Sequence, residues 1–215
     1  MRKKLRDVLE PMSTRKKVSY IWTYYKLHII CALLIVATVV IVGQKVINHQ
    51  EVILNIMILS DYEDSTKINK LTEQLNREIV EENERDTSRV NIEIVPYSSE
   101  DSEPKAESVV MPKIIAEISG QSLDVLMIDK KLFVNLNQDQ NYFLDIKKIV
   151  KQNQLTFPDD AYHYTAGNKL TGIDVSVIPI LNESIENNDL VLCFISNSER
   201  KANIKKFLLY ISKNI

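Results

Sequence analysis

The sequence predicts an α/β domain with a mostly parallel sheet and flanking helices, carried behind one N-terminal transmembrane helix. Three observations predict it. An apolar run, Leu27–Val42, lies between flanks of very uneven charge. Beyond it, apolar runs of strand length alternate with segments whose apolar residues recur at helical spacing. The first three strands arrive within about 75 residues with a helix between each, the pattern of parallel strands joined by right-handed crossovers.

Eight basic residues (Arg2, Lys3, Lys4, Arg6, Arg15, Lys16, Lys17, Lys26) precede the apolar run against only Asp7 and Glu10. After it come 19 basic and 27 acidic residues, and the first twenty positions of that stretch hold one basic residue, Lys45. Basic flanks stay in the cytoplasm. The expected organisation is therefore a basic cytoplasmic segment at 1–20, a transmembrane helix with interfacial flanks at 21–47, and an extracytoplasmic α/β domain at 48–215. The protein is expected in the cell membrane as a single-pass chain with its N-terminus inside. Ile29–Gly43 supplies 15 residues, fewer than the roughly 20 a span needs. Adding Ile21–His28 reaches 23, and those residues suit a headgroup boundary. Trp22, Tyr24 and Tyr25 are rings of an interfacial belt, and Lys26 can snorkel its ammonium towards phosphates. A cleaved signal would need small residues at a cleavage site, and Val42-Gly43-Gln44 is a poor one. Residues 1–10 read as topogenic charge, although Leu5, Val8 and Leu9 share one face of a short basic helix that Pro11 would end.

Glu51–Ser60 is almost continuously apolar, as expected of a strand buried on both faces. In Ser65–Glu82, Ile68, Leu71, Leu75 and Ile79 form one helical stripe. Arg89–Tyr97 alternates Val90, Ile92 and Ile94 as a second strand. Residues 102–119 read as helix through Val110, Ile114 and Ile118, with Gly120 as the C′ residue and Pro112 as a kink or a later start. Leu123–Ile128 is the third strand, and Phe133–Ile146 gives short helical or irregular pieces. Tyr162–Asp174 reads as a hairpin turning at Ala166-Gly167-Asn168, with Lys169–Val175 as the return strand. Leu190–Ser196 is another buried strand. Ser196-Asn197-Ser198-Glu199 reads as a capping box for a last helix that buries Ile204, Phe207, Leu208 and Ile211.

Composition excludes several classes. The stretch beyond the apolar run has a net charge of about −8, so nucleic acid is not an expected partner. With only Cys31 and Cys193, the domain is not a disulfide scaffold. No P-loop, G-x-S-x-G, H-E-x-x-H or C-x-x-C is present, so no enzyme, metal site or cofactor is expected.

Several stretches resemble a known family. Ile114–Ile146 (IIAEISGQSLDVLMIDKKLFVNLNQDQNYFLDI), Tyr164–Asp174 with Leu170-Thr171-Gly172-Ile173, and Ile195–Ile211 (ISNSERKANIKKFLLYI) are similar to the first lobe of extracellular solute-binding proteins of the sugar-binding type. The resemblance implies one lobe of a periplasmic-binding-protein fold. It departs from the family between Asp174 and Asp189, only 15 positions apart, where the family places its second lobe. A single lobe cannot close over a sugar. The Gly the family places before FLDI is also absent, replaced by Gln140 or Asn141. The segment WTYYKLHII also resembles small single-span proteins of Gram-positive bacteria that carry such an external domain.

Asp61, Tyr62 and Asp129 follow the C-terminal ends of the first and third strands, where open α/β sheets place a ligand crevice. They are the candidate ligand or partner face, although acids after strands also cap the next helix. Asp124, at a strand start, reads as structural and Cys193 as a small buried hydrophobe. His163 reads as a surface or packing residue, Asp159-Asp160 as a solvated turn or N-cap, and Glu81–Asp86 as a solvated helix end. The leading function is a membrane-anchored, non-enzymatic domain that binds a membrane or envelope protein. The alternative is a solute- or sugar-binding sensor or transporter accessory.

Overall fold

The computed structural model describes residues 13–47, 50–61, 64–97, 104–137, 141–165, 167–185 and 189–214. The basic segment 1–10 considered above lies outside them, as do Tyr62 and Ala166. Two units are present, one ending at His49 and one beginning at Gln50.

The described residues of the first unit form one helix, α1 (Thr14–Ile47). Its described apolar side chains are open on every side: Leu27, Leu33, Leu34, Ile35, Val36 and Val39 are each at least 60% exposed. Among the described residues, no helix is long and apolar enough to cross a membrane.

The second unit is an α/β domain built on a mixed sheet. In chain order its elements are β1 (Glu51–Leu59), α2 (Ser65–Ile79), β2 (Ser88–Val95), α3 (Pro104–Ser119), β3 (Val125–Asp129), α4 (Lys130–Asn137), β4 (Tyr162–Tyr164), β5 (Leu170–Asp174), α5 (Pro179–Ile185), β6 (Leu190–Phe194) and α6 (Lys201–Lys213). The six strands lie in the order β2-β1-β3-β6-β5-β4. β1 pairs parallel with β2 and β3, whereas β6 pairs antiparallel with β3 and β5, and β4 pairs antiparallel with β5. The expectation of a mostly parallel sheet is thus corrected: three of the five pairings are antiparallel. LVLCF is apolar at every position, and a strand buried on both faces reads the same in either direction.

Strand alternation divides the core into two layers. Leu54, Ile56 and Ile58 of β1, Val125 and Met127 of β3, and Leu190, Leu192 and Phe194 of β6 meet α2, α5 and α6. Met57, Leu59, Leu126, Ile128, Val191 and Cys193 point the other way, onto α3 and α4. The stripe Ile68, Leu71, Leu75 and Ile79 is buried as its spacing requires. Asp64 starts α2, its carboxylate accepting the Thr66 N–H at 2.9 Å.

Two helix ends depart from the sequence reading. α3 runs unbroken through Pro112. At its C-terminus the left-handed residue is Gln121 (φ 54°), not Gly120. Ser122 N–H reaches Glu117 O and Gln121 N–H reaches Ile118 O, a Schellman arrangement one position later than expected. α6 begins at Lys201 behind Arg200, with no side-chain cap, so the capping box does not form. Ser196, the hydroxyl of that box, donates to Asn141 O instead, and Ser198 Oγ accepts the Arg200 N–H at 3.0 Å while donating to Asp124 Oδ1 at 2.6 Å.

The β4–β5 hairpin turns through Asn168 in the left-handed region (φ 60°). Beyond it, Gly172 is required by space. A Cβ there would meet Val191 Cγ1 at 2.6 Å and Phe133 Cζ at 2.9 Å. Phe133 cannot easily move, because it stacks on Phe143 (5.4 Å between centroids) and meets the His163 ring edge-on (5.5 Å). Gly172→Ala is therefore expected to cost about 1–3 kcal/mol through overpacking. Equilibrium denaturation of variant and wild type checks this, and equal midpoints would show that the Phe133 stack yields freely.

Candidate functional site

Asp61 and Asp129 lie where the strands β1 and β3 end, but their circumstances differ. Asp61 is exposed. Asp129 is 7% exposed and caps α4, with Oδ1 accepting the N–H groups of Lys131 (2.8 Å) and Leu132 (3.0 Å). Its Oδ2 is buried with no hydrogen-bond partner among the described residues. Tyr62 lies outside the described residues. The helix-capping role that acids after strands commonly take is the one Asp129 performs.

The sequence reading missed a charged cluster on the other sheet face. Asp129 pairs with Leu190 and Asp174 with Val191, and successive residues of β6 point to opposite sides. Asp174 therefore shares its face with His163, whose partner in the ladder is Gly172. His163 Nε2 lies 3.0 Å from Asp174 Oδ1, and Lys130 Nζ lies 3.3 Å from the same oxygen and 3.6 Å from Asp189. The only signal for this pairing was the hairpin itself, which brings residues 163 and 174 to adjoining rungs. His163 has its Nε2 engaged by Asp174 and its ring packed on Phe133, an employment that ties β4 and β5 to α4.

Asp124 is a heavily bonded carboxylate. It is fully buried and accepts from Arg200 Nη1 (2.8 Å), Ser198 Oγ (2.6 Å) and the Asn55 N–H (2.7 Å). These bonds fasten β1, the entry to β3 and the approach to α6 at one point, the structural role expected of it. Cys193 is likewise structural. Burial pushes its thiol well above the ordinary value, and Sγ donates to Leu126 O at 3.2 Å. A thiol held protonated is a poor nucleophile.

The concave site lies elsewhere, between the outer side of α2 and β2, the strand at the end of the sheet. It encloses about 660 Å³ and is lined by Arg77, Arg85, Arg89, Glu73, Asn69 and Asn76 among others. That volume lies within the range of ligand sites. Beyond the apolar run the sequence has four arginines, Arg77, Arg85, Arg89 and Arg200. Three line this cleft and the fourth is held by Asp124. Arg85 is placed by a bond from Nη2 to Arg77 O at 3.0 Å, at the C-terminal end of α2, where a cation is favoured. Asn76 spans the cleft floor: its Oδ1 accepts the Val90 N–H at 2.8 Å and its Nδ2 donates to Thr72 O. Neither Asp61 nor Asp129 contributes to the cleft.

A second hollow of about 480 Å³, between α2, α5 and α6, is lined by Lys67, Lys70, Glu183 and Tyr210 among others. Burial, followed by the charge of Glu78, raises the Tyr210 phenol above its ordinary value, with Arg77 opposing, so it stays protonated at neutral pH.

In α1, Trp22 and Lys26 are exposed and Tyr25 is half-buried, its ring 6.0 Å from that of His28. The Tyr24 side chain is outside the described set. No protein-family model, curated protein or solved structure matches the chain.

Proposed function

We propose that the protein is a single-pass membrane protein whose unit beyond Gln50 works outside the cytoplasm as a non-enzymatic binding domain for a membrane or envelope protein. The observation that carries this reading is one stretch of α1. Leu27, Leu33, Leu34, Ile35, Val36 and Val39 project from it on all sides without cover, and a helical stretch apolar all round belongs in lipid or in a large core, although no described helix as a whole is long and apolar enough to span. The span would be Leu27–Val42 with the flanks given above, part of which lies outside the described side chains. The eight basic residues before it set the orientation.

Two features favour binding over capture of a small solute. Among the described residues between β5 and β6 there are only a 3-10 turn and the short helix α5, and the whole connection is 15 positions from Asp174 to Asp189, too short for a second lobe over the sheet. The arginine-lined cleft is open along a sheet edge, which suits a chain laid across it.

Protease added to intact protoplasts is expected to remove the unit beyond Gln50 and spare an N-terminal tag. Loss of the tag instead reverses the topology. The full chain extracted in detergent is expected to carry a discrete membrane or envelope protein in fixed ratio, which a chain lacking 50–215 no longer carries. A ratio unaffected by that deletion would refute the binding role of the unit.

A further inference from the structure

The binding reading leaves the partner's chemistry open, and the cleft beside β2 narrows it. β2 pairs only with β1 among the described strands. Ser60 N–H bonds to Val95 O and Tyr97 N–H bonds to Ser60 O, so the odd residues of β2 turn their peptide groups towards β1. In a strand the even residues then turn theirs outward. Val90 fits this, because its N–H is met from outside by Asn76 Oδ1 at 2.8 Å. Ile92 and Ile94 continue the same outward edge, and Ile92 lies in the cleft wall.

Charge favours an acidic occupant. Arg77, Arg85 and Arg89 line the cleft against one acid, Glu73, on a chain that is acidic beyond its apolar run. An arginine fork suits carboxylates, which it grips through two parallel hydrogen bonds. Main-chain bonds from an open edge supply affinity to any extended segment, and side-chain sites supply its specificity.

We infer that the cleft between α2 and β2 takes an extended acidic segment of a partner protein, added as a strand along the outer edge of β2 with its carboxylates on Arg77, Arg85 and Arg89. The inference rests on the binding role proposed above. Asn76 already occupies the first rung at Val90, so the added strand begins its ladder at Ile92 and its acidic side chains lie towards Arg85 and Arg89.

The test uses the full chain in detergent micelles and a fluorescein-labelled octapeptide of alternating valine and glutamate, read by anisotropy. Saturable binding is expected, and Arg85→Glu with Arg89→Glu should weaken it by about tenfold or more. Glu73→Lys, which makes the cleft more positive, should tighten it by about threefold, a gain that a misfolded variant cannot give. A valine–lysine octapeptide should bind about tenfold more weakly or not at all. A valine–glutamate peptide with a central proline should lose a similar factor, since proline cannot donate to a ladder. Equal binding of the lysine peptide, indifference to the arginine reversal, or full competition by inorganic phosphate with no effect of proline would each overturn the inference. So would concentration-dependent self-association of the chain that buries β2 and excludes the peptide. If the peptide fails while the detergent-extracted chain still carries its partner through 50–215, the cleft assignment falls and the binding role stands. If both fail, the binding role falls too.

Discussion

Phe207→Ala is expected to destabilise the domain by about 3–5 kcal/mol, the range for removing a large ring from a packed core. Phe207 is 0% exposed and meets Phe194 edge-on with centroids 6.4 Å apart. The two rings join the last helix to the central strand β6, flanked by Ile204, Leu208 and Ile211. Truncation removes the contact and leaves a hollow between α6 and the sheet, which rigid neighbours cannot refill. Equilibrium denaturation measures the loss. A change below about 1 kcal/mol would mean that α6 is a peripheral addition and that the sheet holds together without it.

The second large effect is electrostatic. Asp124→Ala is expected to cost about 3 kcal/mol, the low end for breaking a buried ion pair, because Arg200 keeps some access to water. The Arg200 side chain is 29% exposed while that of Asp124 is fully buried. The substitution also strands the Asn55 N–H and the Ser198 hydroxyl, both of which now donate to the carboxylate. Asp124→Asn, which keeps the shape and loses the charge, should cost less. A double replacement by apolar residues, Asp124→Leu with Arg200→Met, should recover much of the loss. If the double variant is no more stable than Asp124→Ala, the charge pair is not the source of the effect.

Much of the fold was legible in residue order. EVILNIMIL, LDVLMI and LVLCF announced three core strands, and the rhythm of Ile68, Leu71, Leu75 and Ile79 announced α2. Those signals are local, so they survive without knowledge of neighbours. Strand direction was not legible, since β6 carries no polar residue to mark a face or an end. The capping box at Ser196–Glu199 failed because the helix starts two positions beyond Glu199, and the Ser196 hydroxyl bonds to a distant carbonyl, Asn141 O, that residue order does not reveal. Gln121 in place of Gly120 shows the same limit at a helix end, where backbone bonds settled a choice that residue type alone suggested wrongly. The candidate site was the least legible part. Asp129 was placed at the right strand end, yet its carboxylate caps a helix. The cleft arginines sit within thirteen positions of one another, and the concentration of arginine there was a usable signal. The acidic residues between them, Glu81–Asp86, masked it, and those residues are solvated as expected. The His163–Asp174 pair was invisible until the hairpin register put residues 162 and 173 opposite each other.

The strand order has a consequence for synthesis on the ribosome. β6 is the last strand made, yet it sits between β3 and β5 in the middle of the sheet. Until Leu190–Phe194 emerges, the parallel half and the hairpin half have no strand in common, and β3 offers an uncovered edge of five buried-type residues, VLMID. Such edges recruit one another when nascent chains are crowded. Every unfinished copy thus carries a sticky surface that the finished protein lacks, and the time between translating Asp129 and translating Phe194 sets how long a chaperone must shield it.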